Sequence, residues 1–365
     1  MSLGFEQAGF DVIAAVDFEP RHVETYSKNF PRCKTLCADL SDISGSQLRS
    51  DAGIGDAHID AVFAGPPCQG FSLIGKRLKN DPRNLLLFDL ARRIGELSPS
   101  YFAVENVEGI LLGDAKNILA DFVGQMKKSG YWVVEPIQVL DAAEFGVPQR
   151  RRRVFVLGYK GGLSAPIYPT RLFTKNGNGD YLGPTVWDAI GDLPKIEKYK
   201  HLLTTDIYRG KLGLATDYAR ILRGEATDSE DNSHQRHTNG DGLSGCLRTA
   251  HTNETIKRFM DTDPGSYEAV SRLHRLEKDA LAHTLRAGTG PIQGSFMAPR
   301  PIHPVDARCI TVREAARLHS FPDWFIFHPT KWHSFRQIGN SVPPRLARAV
   351  AQSVLRAVEN GRGQK

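Results

Sequence analysis

The stretch IDAVFAGPPCQGFS, residues 59–72, decides how the chain is interpreted. Its first six residues are mostly apolar and predict a strand. Gly65 then permits a tight exit from that strand, and two prolines fix the backbone ahead of Cys68. Glycine and serine follow and predict a loop. A lone Pro-Cys pair would favour a buried structural cysteine, but the whole string favours a thiolate nucleophile held at a strand end.

Apolar runs alternate with amphipathic segments through the first half of the chain. The predicted strands are residues 12–16, 59–64, 101–104, 132–140 and 154–159. The predicted helices are residues 21–30, 85–97 and 118–128. This alternation predicts an α/β fold with a doubly wound, mostly parallel sheet. Ligands bind outside the carboxyl ends of such strands, and Cys68 and Glu105 are both expected just past a strand end.

The composition divides the chain into three segments. Residues 1–165 carry the alternating pattern and predict one large domain. Residues 166–300 are rich in Gly, Asp, Asn, Thr and His and predict a second, smaller lobe. Residues 301–365 are expected to return to the first domain through helices at 311–320 and 344–359. Thr311 and Glu314 have the spacing of a capping box at the start of the first of these.

The charge and the cysteines restrict the function classes. There are 47 Lys and Arg residues against 41 acids, and this mild excess is compatible with a polyanionic partner. No apolar run approaches about 20 residues, so no membrane span is predicted. The five cysteines are Cys33, Cys37, Cys68, Cys246 and Cys309. Their scatter argues against a disulfide framework or a metal site and favours the cytoplasm.

Five motifs together resemble one family. The stretch around Cys68 resembles the catalytic motif of the bacterial-type cytosine-C5-specific DNA methyltransferases. FAVENV (residues 102–107) resembles the family's Glu-Asn-Val motif, and PQRRRRVF (148–155) its Gln-x-Arg-x-Arg motif. Residues 308–323 resemble the segment after the target-recognition domain, and QIGNSVPP (337–344) resembles the last motif. The motifs follow the family order and span nearly the whole chain.

The resemblance implies a Rossmann-like, S-adenosylmethionine-dependent methyltransferase fold. Residues 1–165 would then be the catalytic and S-adenosylmethionine-binding domain, 166–300 the target-recognition domain and 301–365 the returning segment. The implied reaction transfers a methyl group from S-adenosylmethionine to carbon 5 of a cytosine. A base within a duplex is inaccessible, so the cytosine would be flipped out of a specific double-stranded DNA sequence.

The resemblance also implies catalytic roles for four residues. Cys68 would add to ring carbon 6, and Glu105 would protonate nitrogen 3 and hold the exocyclic amine. Arg153 would contact the oxygen at ring position 2, with Arg151 in a supporting role near the catalytic carboxylate. Residues 154–157 predict a strand, and alternation along it would separate this pair from the two other arginines of the run.

Binding residues are implied in the same way. The positions that match the family's cofactor contacts are Asp17, Phe18, Asp39, Pro66, Leu86, Asn340 and Ser341. Asp17 would accept from the ribose hydroxyls, Phe18 would stack on the adenine and Asp39 would contact its amine. The candidate DNA contacts are Gln69, Ser72, Lys76, Arg77, Arg248, His251 and Asn253, with Thr249, Arg272, His274 and Arg286 as further candidates.

The chain departs from the family at its start. The family opens with a strand and a Phe-x-Gly-x-Gly-Gly loop, whereas residues 2–10 resemble only the helix after that loop. One account is a start placed downstream of the true one, and the other is a degenerate copy. A chain complete as given would bind the donor poorly, and its sheet would lack a central strand.

Three functions therefore compete. The first is an active, monomeric, cytoplasmic and nucleoid-associated DNA methyltransferase, paired with a restriction endonuclease. The second is a catalytically impaired DNA-binding homologue without the donor-binding loop. The third is the transfer-RNA branch of the family, which is disfavoured because the chain has no Cys-Phe-Thr tripeptide and its recognition lobe is long.

Overall fold

The computed structural model describes residues 1–66, 85–174, 182–236, 242–288 and 300–362. The chain forms two units. The first contains Met1–Asp141, Arg152–Thr170 and Ala347–Lys365, and the second contains Ala142–Arg151 and Arg171–Leu346.

The first unit alternates strands and helices, as the sequence predicts. Its strands are β1 (Ala14–Asp17), β2 (Lys34–Cys37), β3 (Ala61–Ala64), β4 (Tyr101–Asn106), β5 (Tyr131–Val133), β6 (Gln138–Asp141) and β7 (Arg152–Lys160). Its helices are α1 (Ser2–Ala8), α2 (Pro20–Asn29), α3 (Gly45–Asp51), α4 (Leu85–Leu97), α5 (Ala115–Lys128) and most of α11 (Pro344–Arg362). The α/β class is confirmed, and α4 has the predicted bounds.

The sheet is mixed rather than mostly parallel. β3 and β4 run parallel, but β7 is antiparallel to β4, β5 and β6. The link from β6 to β7 is short, which suits antiparallel neighbours, whereas parallel strands need a long crossover. Among the described strands, β1 and β2 pair in parallel with each other and form a separate sheet.

The single strand predicted at residues 132–140 is two strands in the structure. β5 and β6 both pair with β7, and the break between them contains Pro136. Proline has no backbone N–H to donate to the ladder, so the regular pairing is interrupted there.

β4 lies inside the larger sheet, between β3 and β7, and all six of its residues are buried. Phe102 and Val104 pack in a core cluster with residues of α4 and α5, whereas Tyr101 packs against Val354 and Ala357 of α11. The strand therefore has helices on both faces. Glu105 is the penultimate residue of β4 rather than a residue past its end, because the ladder with β7 continues to Asn106.

Within the described residues, five short α-helices lie wholly in the second unit, which also has three 3-10 helices at Ala142–Phe145, Ile196–Lys198 and Lys200–Leu203. The five α-helices are α6 (Val186–Ile190), α7 (Asp217–Arg223), α8 (Asn253–Met260), α9 (Val312–Leu318) and α10 (Lys331–Asn340). The predicted capping box is present at α9, where Thr311 and Glu314 each accept from the other's backbone N–H.

The chain rejoins the first unit at Ala347, whereas the sequence predicted a return at residue 301. Buried ion pairs explain the difference. Arg317 of α9 has no exposed surface and pairs with Asp192 at 2.7 Å and with Asp323 at 2.6 Å. These bonds tie α9 to the segment after α6 and hold residues 301–346 in the second unit. None of the helices in the described ranges has the length and apolar character needed to cross a bilayer.

The cross-strand pair of Phe102 and Gly158 gives a test of the core. A Cβ at Gly158 would lie 2.2 Å from the Phe102 ring, so Gly158→Ala should lower the free energy of unfolding by about 1–3 kcal/mol. Gly124→Ala on α5 is the control, because its Cβ would meet nothing within 4 Å, and it should stabilise by up to about 1 kcal/mol. Denaturant unfolding measures both, and equal effects would contradict this packing.

Candidate active site

An ion pair lies at the end of the buried strand β4. Arg153 Nε is 2.8 Å from Glu105 Oε1, and the two side chains are only 13% and 10% exposed. The same guanidinium donates through Nη1 to the carbonyl of Arg152 at 2.7 Å. Both groups are therefore fixed in position, and charge-assisted hydrogen bonds of this length are among the strongest in proteins.

The segment that leads to Cys68 lies beside this carboxylate. β3 and β4 pair in parallel with Ala64 opposite Val104, which brings the following residues, Gly65 and Glu105, together. A Cβ built on Gly65 would lie 3.1 Å from Glu105 Oε2. A side chain here would make the carboxylate shift by a few tenths of an ångström, which the glycine avoids. Cys68 itself lies outside the described residues, as do Gln69, Ser72, Lys76 and Arg77.

The arginine run alternates in exposure, as predicted. Arg150 and Arg152 are exposed, whereas Arg151 is buried and Arg153 is half-buried. Arg152 pairs with Glu108 at 2.9 Å. The alternation follows the geometry of the strand that begins within the run.

Arg151 makes a different set of contacts from Arg153. It is 1% exposed, and its guanidinium donates to the main-chain carbonyls of Leu285, Gly339 and Ser341 at 2.9, 2.7 and 2.9 Å. These three bonds hold two loops of the second unit together. The role near the catalytic carboxylate stays a prediction.

Three of the predicted donor contacts meet at the carboxyl ends of β1 and β2. Asp17 ends β1 opposite Cys37, and its carboxylate accepts from the Glu19 backbone at 2.8 Å. Phe18 follows with 66% of its surface exposed, which leaves its ring free to stack on a flat base. Asp39 is exposed two residues after β2.

Asp39 is suited to accept a hydrogen bond from an amine. The backbone N–H and the hydroxyl of Ser41 both donate to it at 2.9 Å and hold the pKa of its carboxyl below the ordinary value. The group therefore stays ionised and acceptor-only at neutral pH. Together, two carboxylates that accept hydrogen bonds, Asp17 and Asp39, and the exposed ring of Phe18 fit the adenosine part of the methyl donor.

The remaining donor candidates lie in both units. Pro66 follows β3, and Leu86 is in the first turn of α4; both are half-buried. Asn340 is exposed at the end of α10, and the half-buried Ser341 comes next.

Comparison with known proteins identifies the family. The family model for C-5 cytosine-specific DNA methylases matches residues 1–356. The chain belongs to the C-5 cytosine-specific DNA methylase family. It is therefore a cytosine-5 DNA methyltransferase whose methyl donor is S-adenosylmethionine, and its substrate is DNA.

Individual relatives agree. The Type II methyltransferase M.XorII of Xanthomonas oryzae pv. oryzae is 48% identical over 98% of this chain and 82% of its own length. The Type II methyltransferase M1.HphI of Haemophilus parahaemolyticus is 31% identical over 98% of the chain and 84% of its own length. A crystal structure assigned to a prophage DNA modification methyltransferase from Escherichia coli superposes with a TM-score of 0.78. It is 31% identical and covers 98% of this chain and 96% of its own. The Rossmann-like methyltransferase fold is confirmed.

The predicted DNA contacts of the methyltransferase differ in how freely they can reach a ligand. Arg248 donates to the Glu197 carbonyl at 3.1 Å, and His251 Nε2 accepts from the Cys309 backbone at 3.2 Å. Burial, followed by the charges of Arg300 and other cations, lowers the pKa of His251, so its ring is neutral at pH 7. Asn253 is exposed in the first turn of α8. Asn253 is thus the most accessible of the three.

Sequence reasoning gave no role to three residues of the methyltransferase that hold its second unit together. Gln149 is fully buried, His319 follows α9, and Gly339 lies in the last turn of α10. Gln149 and Gly339 lie within recognised motifs, but their partners are far away along the chain. No local pattern could have found these contacts.

Gly65→Ala tests the position of the Glu105 carboxylate. The new methyl group would displace Oε2 by a few tenths of an ångström, and we expect kcat to fall about ten- to a hundredfold with little change in unfolding temperature. Gly124→Ala serves as the matched control and should keep full turnover. Steady-state methylation assays measure both, and an unchanged kcat for Gly65→Ala would show that the carboxylate is not where the reaction needs it.

Proposed function

We propose that this methyltransferase acts through a covalent bond between Cys68 Sγ and carbon 6 of an extruded cytosine, with Glu105 and Arg153 holding the ring. The observation that carries this proposal is the closeness of Gly65 to the Glu105 carboxylate, because a Cβ built on Gly65 would lie 3.1 Å from Oε2. Cys68 lies outside the described residues and follows Gly65 by three positions in the sequence, which extended chain spans in at most about 11 Å. The proposal requires the thiol and the carboxylate to meet at one base.

The chemistry divides a difficult substitution into easier steps. The Cys68 thiolate adds to carbon 6 while Glu105, which must enter this step as the protonated carboxylic acid, gives its proton to nitrogen 3 and becomes the carboxylate that Arg153 holds; carbon 5 thereby gains the character of a nucleophile. The bound donor supplies an electrophilic methyl group to that carbon. A base, for which water is the candidate, then removes the proton from carbon 5. The thiolate leaves as the carbon 5–carbon 6 double bond re-forms and the proton on nitrogen 3 is lost.

Arg153 has two functions in this scheme. Its Nε–H fixes the Glu105 carboxylate through the 2.8 Å bond. Its guanidinium has five donors in a planar fork, so further N–H groups are available for the ring oxygen at position 2. A lysine has one point charge and would satisfy only one of these partners well.

Two exposed arginines of the second unit, Arg150 and Arg286, are suited to contact the DNA backbone, and we call them the cationic strip. The Arg150 N–H donates to the Ala282 carbonyl at 2.9 Å, and Thr284 Oγ1 donates to the Arg150 carbonyl at 2.7 Å. This pairing joins the arginine run to the segment with exposed His283 and Arg286. His283 does not contribute charge to this surface, because partial burial of its ring, followed by the neighbouring charges of His274, Arg150 and Arg286, lowers its pKa. We assign Arg150 and Arg286 to DNA phosphates.

The relatives suggest the biological setting. Several carry Type II methyltransferase names, which are names of restriction–modification systems. We propose that this chain modifies double-stranded DNA as a monomer at the nucleoid, and that its methylation protects the sequence that a cognate endonuclease would cut.

Trapping tests the nucleophile. A pool of duplexes with 5-fluorocytosine should yield an adduct that survives denaturation, because fluorine cannot be removed from carbon 5 as a proton is. Cys68→Ser should abolish both the adduct and turnover while DNA binding remains measurable. Cys37→Ser, at an exposed thiol, is the control and should still form the adduct. Adduct formation by Cys68→Ser would show that Cys68 is not the nucleophile.

A donor-binding measurement separates an active enzyme from a DNA-binding homologue. Wild-type protein should bind S-adenosylmethionine saturably in calorimetry. No saturable binding, with DNA binding retained, would point instead to a homologue without donor function.

Salt dependence tests the cationic strip. Each phosphate contact adds about 0.9 to the slope of log K against log salt, so Arg150→Gln with Arg286→Gln should lower the slope by about two. Arg220→Gln, at an exposed arginine of α7, is the control and should leave the slope unchanged. Fluorescence anisotropy at several salt concentrations measures it, and an unchanged slope for the double variant would exclude both arginines from the DNA contact.

A further inference from the structure

One buried guanidinium links two segments of the second unit, the loop around Leu285 and the end of α10 with the residues after it; they are called the two loops below. Arg151 donates to the carbonyl of Leu285 on one side and to the carbonyls of Gly339 and Ser341 on the other. Leu285 precedes Arg286 of the cationic strip, and Gly339 and Ser341 flank Asn340 in the predicted donor contact. The two loops are more than 50 residues apart along the chain, so this link exists only in the folded protein.

Gln149 supports the same link from the neighbouring position. It is fully buried, its Oε1 accepts from the Leu285 N–H at 3.0 Å, and its Nε2 donates to the Leu318 carbonyl at 3.2 Å. The Nε2 also lies 3.0 Å from His319 Nδ1. An amide nitrogen only donates, so Nδ1 accepts and the His319 proton is on Nε2. That proton is donated to the Ser341 carbonyl at 3.1 Å.

The backbones of the two loops also touch directly. A Cβ at Gly339 would lie 2.4 Å from the Ala287 nitrogen and 2.5 Å from the Arg286 carbonyl carbon. Both neighbours are main-chain atoms, which cannot move aside as a flexible side chain can. A glycine is therefore required where the end of α10 meets the segment of Arg286.

We propose that Arg151 is a positioning residue that couples the DNA-contacting segment to the donor loop, rather than a group that touches the base. The proposal rests on the proposed functions of Arg286 and of Asn340 with Ser341. The physical reason is geometric: a planar guanidinium satisfies three carbonyls at once, and losing it leaves buried carbonyls without that donor. DNA bound at Arg286 then favours the same loop arrangement that binds the donor, and the reverse also holds.

Two variants test this from opposite sides. Arg151→Lys keeps the charge but cannot reach three carbonyls, and Gly339→Ala forces the backbones apart with Arg151 intact. The control is Arg223→Lys, because Arg223 is a half-buried arginine of this unit, with Asp192 and the Gly213 carbonyl as its partners at 2.9 Å. It should lower the unfolding temperature without touching either loop.

The expected result is a split between binding and turnover. Arg151→Lys and Gly339→Ala should each raise KM for the donor and for DNA about tenfold, with kcat within about threefold of wild type. Arg223→Lys should leave both KM values within about twofold. In calorimetry, duplex DNA should tighten binding of S-adenosylhomocysteine to the wild type, and this tightening should be lost in the two loop variants.

Two results would overturn the proposal. A fall in kcat with unchanged KM values would make Arg151 part of the chemistry, and a profile that matches Arg223→Lys would make it purely structural. If Arg151→Lys does not fold, Gly339→Ala decides alone. If the proposed function is wrong, the wild-type protein itself will not transfer a methyl group. If only the role of Arg151 is wrong, the wild-type protein stays active and the variants differ from it in another way.

Discussion

The ion pair between Glu105 and Arg153 depends on a strand that is buried along its whole length. β4 lies between a parallel neighbour, β3, and an antiparallel neighbour, β7, and core residues cover both faces. Its backbone groups are therefore held by ladders on both sides. A carboxylate on such a strand has little freedom, and its partner comes from the adjacent strand. The same β3–β4 register brings the glycine of the cysteine-bearing stretch next to the carboxylate.

The second unit is held together by different physical interactions. Three arginines of its C-terminal part, at 308, 313 and 317, are almost completely buried. Arg308 binds Glu314 through two hydrogen bonds of 2.7 and 2.8 Å. Burial alone would raise the pKa of Glu314, but Arg308 and His303 lower it to about 2. This pair therefore contributes stability above pH 4.5, the ordinary value, and the contribution is lost as the pH falls towards 2.

Buried ion pairs of this kind favour one arrangement over others, because an arginine without its acid would leave a charge in the interior. That restriction suits a unit whose helices are short. The segments around Arg286 and Asn340 are joined separately, by Arg151 through the carbonyls of Leu285 and Gly339. A methyltransferase must hold a base and a donor at bonding distance, and fixed loops reduce the entropy that this requires.

The sequence by itself determined the elements whose information is local. The apolar runs placed β3, β4 and β7, the periodicity gave α4 its bounds, and Thr311 with Glu314 gave the capping box. It also gave the family through motifs whose residues are adjacent along the chain. Asp17, Phe18 and Asp39 were predicted through the resemblance, and they lie at or just after the ends of β1 and β2.

The tertiary structure alone decided the antiparallel direction of β7, the return of the chain at Ala347 and the different partners of Arg151 and Arg153. These two arginines are two residues apart in an all-arginine run, so no pattern distinguishes their contacts. Arg153 meets a carboxylate 48 positions away, and Arg151 meets carbonyls 134, 188 and 190 positions away. Hydrogen bonds across such separations depend on how whole elements pack, and the sequence around each partner does not predict that packing.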